Sequence, residues 1–105
     1  MPETKEIIDF INNFSTFGKG VKDAFTSGCC YWFAFILKTR FSPFAEIYFN
    51  KIENHFACKI GKNLYDITGN CNNTYEGTWE NWYNFKTNNK TFAEKISKDC
   101  ILKEL

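Results

Sequence analysis

The spacing of apolar residues changes twice along the chain. Ile7, Ile8, Ile11 and Phe14 recur at helical spacing behind "PETKE". Proline and acidic residues suit a first helical turn. The pattern predicts a helix from about Glu3 to Phe14, ending before Gly18 and Gly20. "KGVKDAFTSG" reads as a loop. From Cys29 to Leu37 the chain is then solidly apolar. This block predicts a second helix, from about Cys29 to Arg40, with Thr26 or Ser27 near its cap and Pro43 barring its continuation. Phe33 to Leu37 are apolar on every side, the pattern of a helix buried all round. Its first turn opens on small and polar residues, so that end is expected at a surface or cleft.

After Pro43 the period becomes two. "AEIYFNK", "ENHFACKI" and "NLYDIT" predict strands rich in aromatic and β-branched residues. Gly61-Lys62, between the last two, suits a two-residue type II′ hairpin. That turn sets Ile60 opposite Asn63, Lys59 opposite Leu64, Ala57 opposite Asp66 and His55 opposite Thr68. Phe56, Cys58 and Ile60 then share a core face with Tyr65 and Ile67. His55 and Asp66 become diagonal neighbours on the other face, about 7–8 Å apart at the backbone. Beyond Gly69 a polar stretch carries Trp79, Trp82, Tyr83 and Phe85, expected as irregular structure or a short helix covering the domain. "TFAEKISKDCILKEL" predicts terminal helix packing through Phe92, Ile96 and Ile101. The fold class expected is α+β, one domain over residues 1–105, with a buried helix starting near Cys30 packed on a short antiparallel sheet.

Composition narrows the function. A length of 105 residues with 44% hydrophobic residues and 12 Phe fits one packed domain. A net charge of +1 with no basic run argues against nucleic acid. The apolar block is too short for a bilayer, which needs about 20 residues, so no membrane partner is expected. "MPETKEIIDF" has no apolar signal core, and the expectation is a cytoplasmic protein. The five cysteines form no C-x-x-C pair and there is one histidine, so neither a structural zinc site nor any other metal or cofactor is expected.

A different chemistry fits these residues. A thiol at a helix N-terminus meets free amides and the positive end of the helix dipole, which stabilise thiolate. A histidine follows on a strand and an acid on the next. Nucleophile, base and orienting group are the parts of covalent acyl transfer. Each has a plainer reading: cysteine in an apolar block is usually inert core, and a lone histidine on a strand is usually structural. The order and joint placement favour the chemical one.

At these residues the sequence resembles the papain-like cysteine hydrolases, the superfamily that includes papain and the NlpC/P60 peptidases. Gly28-Cys29-Cys30-Tyr31-Trp32-Phe33-Ala34 is similar to the papain segment Gly-Ser-Cys-Trp-Ala-Phe-Ser. The resemblance implies Cys30 as nucleophile, with Cys29 in the serine place. "ENHFACKIGKNLYDITG" resembles the family's histidine strand and the strand that follows, implying His55 and Asp66 as the other catalytic residues. The resemblance covers about Ser27 to Gly69 and extends to small bacterial and phage proteins. It implies a papain-like core and a peptidase or amidase acting on a peptide or acyl substrate. Two features depart from the pattern. The chain has no Gln to donate to an oxyanion, leaving Asn12, Asn13, Thr26, Ser27 or the Cys30 amide. It is also too short for a second substrate-binding lobe. The alternative is a catalytically silent papain-like module, phage-encoded, that binds or inhibits a host protein.

Overall fold

The computed structural model describes residues 1–16, 20 and 30–98. Within them α1 spans Thr4–Ser15 and α2 spans Cys30–Phe41. The strands are β1 (Ala45–Asn50), β2 (His55–Ile60), β3 (Asn63–Asp66), β4 (Gly69–Asn70) and β5 (Trp79–Asn81). Two short helices follow, α3 (Trp82–Asn88) and α4 (Lys90–Ile96). The strands form one sheet in the order β4-β3-β2-β1-β5, antiparallel throughout. The fold is therefore α+β, with a small five-stranded sheet. Among the described residues no helix is long and apolar enough to cross a membrane.

The hairpin forms in the expected register. Ile60 pairs with Asn63, Lys59 with Leu64 and Cys58 with Tyr65. Gly61 has φ +64° and Lys62 stays out of the left-handed region, which is the II′ arrangement. Cys58, Tyr65 and Ile67 lie in one apolar core with Phe56 and Ile60. The outer pairs expected at Ala57–Asp66 and His55–Thr68 are not part of the ladder, which ends at Cys58–Tyr65, and β3 stops one residue later at Asp66. The Asp66 side chain accepts from the Thr68 amide at 2.8 Å, a local turn that competes with strand extension. It folds the chain back so that Asp66 pairs with Gly69 on β4.

Helix α2 lies on this sheet through Phe33, Ala34, Leu37 and Phe41, all nearly inaccessible. It is not buried all round as expected: Phe35 is 45% exposed. One short sheet covers one side of a helix. Ring contacts from Phe10 to Phe41 and from Phe14 to Phe33 bring α1 against α2. Tyr31, Phe35 and Lys38 instead border an open groove whose other wall is Tyr83 and Lys86 on α3.

The polar stretch after Gly69 holds more sheet than its sequence announces. β5 pairs with β1 through Tyr48–Asn81, Phe49–Glu80 and Asn50–Trp79, which makes β1 an interior strand. Of the expected C-terminal packing, Ile96 is buried, but Phe92 is 39% exposed and Ile101 lies outside the described residues. Asn50 is fully buried. Its Nδ2 donates to the Glu76 carbonyl at 2.8 Å and its Oδ1 accepts from the Glu53 amide at 3.0 Å. One side chain thus ties the β1–β2 turn to the segment before β5.

Phe56 is inaccessible and packs edge-on to Tyr31 and Trp82, with Phe49 at 4.8 Å. Phe56→Ala is expected to cost about 3–5 kcal/mol, read as a lowered urea midpoint. Phe35→Ala is expected to cost about 1 kcal/mol, because that ring is half in solvent. Equal losses would mean that α2 is enclosed on both sides.

Candidate functional site

Cys30 is the first residue of α2 and is partly exposed; His55 is the first residue of β2 and Asp66 the last of β3, both buried. In an antiparallel pair the start of one strand lies beside the end of the next, so His55 and Asp66 meet. His55 Nε2 lies 2.9 Å from Asp66 Oδ2. This leaves Nδ1 for a second partner. Cys30, at the start of α2, acts on the same imidazole, and its effect is to raise it. The three residues singled out by the sequence are thus brought together, at the end of the sheet where α2 begins.

Asp66 is satisfied on both oxygens. Oδ1 accepts from the backbone amide and the hydroxyl of Thr68. Oδ2 accepts from His55 and from the Tyr75 hydroxyl, each at 2.9 Å. Burial pushes this carboxyl up, but the donors from His55, Thr68 and Tyr75 outweigh it and hold the group below its ordinary range. For His55, burial favours the neutral ring. Hydrogen bonds to Asp66 and Cys30, with their charges, reverse this and push the imidazole up to about 9. The remaining described thiols are placed differently. Cys58 and Cys71 are fully buried, and burial pushes both up to about 12, so neither is a nucleophile at neutral pH.

Aromatic rings enclose the pair. Tyr75 lies tilted over the imidazole at 4.5 Å between ring centres, and Trp79 stands edge-on to both His55 and Tyr75 at 6.1 Å. Sequence reasoning placed neither at the site. Thr68 was legible, since Asp-x-Thr is a turn signature. Tyr75 had no such signal, because it sits in the irregular segment 71–78. Of the expected oxyanion donors, Asn12 and Asn13 are exposed on α1, while Thr26 and Ser27, like Cys29, lie outside the described residues. Among the described residues no group of three or more His, Cys, Asp or Glu side chains is placed to hold a metal ion.

Because the chain has a single histidine, its imidazole can be followed alone by NMR. The parent is expected to titrate near 9. Asp66→Asn should bring the midpoint to 6.5 or below, because burial remains and the carboxylate does not. A raised imidazole stabilises the fold fully below about 6.5, and that contribution, on the order of 2–3 kcal/mol, is lost as pH rises to 9. The lowered Asp66 stabilises above its ordinary 3.8 and loses this as pH falls further. Between pH 6 and 9 the parent should therefore lose more stability than Asp66→Asn, by urea titration at each pH. Parallel profiles would exclude a charged pair.

A family model described as Phage YunG-like protein matches residues 7–100 of the chain. No curated protein and no solved structure matches it. The matched span runs from α1 beyond the end of α4 and includes Cys30, His55, Asp66 and Tyr75. The chain belongs to the Phage YunG-like protein family.

Proposed function

We propose that this protein is a small papain-like cysteine hydrolase, of peptidase or amidase type, with Cys30, His55 and Asp66 as its catalytic residues. The single observation that carries the reading is how His55 is shared. Its Nε2 is bonded to a buried carboxylate while Cys30 acts on the same ring. An imidazole held this way accepts the thiol proton, and Asp66 stabilises the imidazolium that results.

The reaction follows in two halves. The Cys30 thiolate attacks a carbonyl carbon, forming a C–S bond and a tetrahedral oxyanion, with the Cys30 backbone amide as its donor. The C–N bond then breaks as the imidazolium passes its proton to the departing amine. A thioester remains on Cys30. Water, deprotonated by His55, adds to that carbonyl. The C–S bond breaks, releasing the acid and restoring the thiolate beside the reprotonated imidazole.

A second reading is a silent papain-like module that binds or inhibits a host protein. The phage-type family match and the missing Gln favour it, since fold does not fix function.

Alkylation by iodoacetamide at neutral pH, read by intact mass, separates the two. The hydrolase reading expects rapid addition of one group, abolished by Cys30→Ala and largely kept by Cys29→Ser. His55→Ala should slow it by about tenfold or more, and Asp66→Asn by less. Slow labelling spread over several thiols supports the binding module. Superimposable rate-against-pH curves for the parent, His55→Ala and Asp66→Asn would overturn the coupled site.

A further inference from the structure

The segment between β4 and β5 carries more fixings than a connecting loop needs. At its start the Cys71 amide donates to the Leu64 carbonyl at 2.8 Å, and the Leu64 amide donates to Asn72 Oδ1 at 2.7 Å. Asn72 Nδ2 reaches Asn63 Oδ1 at 2.8 Å. Near its end the Glu76 carbonyl is held by buried Asn50. Gly77 then passes so close to Ile52 and Asn50 that a Cβ there would stand 2.8 Å from Ile52 Cγ1, and its φ of +92° suits glycine alone. Between these fixings stands Tyr75, whose two ends contact two different members of the site. Its ring lies on His55 at 4.5 Å with an interplanar angle of 34°, and its hydroxyl donates to Asp66 Oδ2 at 2.9 Å.

We propose that Tyr75 is a positioning residue of the Cys30–His55–Asp66 site, its ring covering the imidazolium and its hydroxyl fixing the carboxylate oxygen that His55 uses. The inference rests on the hydrolase reading and adds a residue to it. The face of an aromatic ring is electron-rich, so it favours the cationic form of a stacked imidazole. The hydroxyl and His55 Nε2 converge on one oxygen, which restricts rotation of the carboxyl group and with it the plane of the imidazole. Among the described residues, Cys30 on α2 and Asp66 on β3 act on His55 and Tyr75 lies on its ring, while Cys71 on the covering segment acts on Asp66 and Tyr75. Cys71 stays a neutral thiol and Tyr75 a neutral phenol through the range in which His55 titrates, because burial raises both. Changes at position 75 therefore act on His55 through stacking and through Asp66.

Two substitutions separate ring from hydroxyl. Tyr75→Leu keeps apolar cover over His55 but removes the π face and the donor. Its His55 midpoint should fall by about one unit, and alkylation of Cys30 at pH 7 should slow several-fold. Tyr75→Phe keeps the ring. With one donor fewer on Oδ2, Asp66 gives more of its charge to His55, so the midpoint should hold or rise. Urea titration of both variants checks that they fold. A parent-like midpoint in Tyr75→Leu, or an equal fall in Tyr75→Phe, overturns the proposal. A parent that titrates near 6.5 with an unreactive Cys30 overturns the hydrolase reading, and the role of Tyr75 with it.

Discussion

A carboxylate buried in a domain this small must be bonded on every side or it will not stay charged. Asp66 meets that demand, and much of the local structure follows from how it does so. Its own turn partner Thr68 ends β3 and sends the chain back into β4. Its second oxygen draws in His55 from β2 and Tyr75 from the covering segment. One side chain therefore sets a strand boundary, the charge on an imidazole and the position of an aromatic cover. Without those donors, burial alone would push the carboxyl up instead of down.

The parts of the fold legible in the sequence were those with a strict local cause. Gly61-Lys62 dictated a turn, and the turn dictated register as far as Cys58–Tyr65; beyond that pair the ladder stops, and His55 and Asp66 meet through their side chains. The alternation that buried Phe56, Cys58 and Ile60 was equally direct. The run from Phe33 to Leu37 was less informative, because its apolar character does not say how many sides the rest of the chain can cover. The sheet covers one, so Phe35 is left at a groove edge. β5 was invisible because its three residues alternate too briefly, and it exists only because β1 has a free edge to pair with.

The site divides in the same way. Cys30, His55 and Asp66, the candidate residues, were marked by their order and by turn geometry. Tyr75 was marked by nothing local. It lies among Asn, Thr, Glu and Gly, and its place depends on tertiary bonds from Asn50, Leu64 and Asn63. The aromatic content of the segment suggested a cover, which it is, but not which ring touches the imidazole. Long-range hydrogen bonds of this kind leave no periodic trace in a single sequence.

The buried amide of Asn50 makes two distant stretches into one mechanical unit. It holds the turn at 51–54 with its oxygen and the backbone next to Tyr75 with its nitrogen. Asn54 closes that turn in the left-handed region, at φ +49°, immediately before His55. Residues 51–54 and 76–77 therefore cannot change length independently: an insertion in either would pull on the other through Asn50. Surface turns normally tolerate such changes well. Here the freedom to vary belongs to other surfaces, such as the outer side of α1 and the exposed positions of α4.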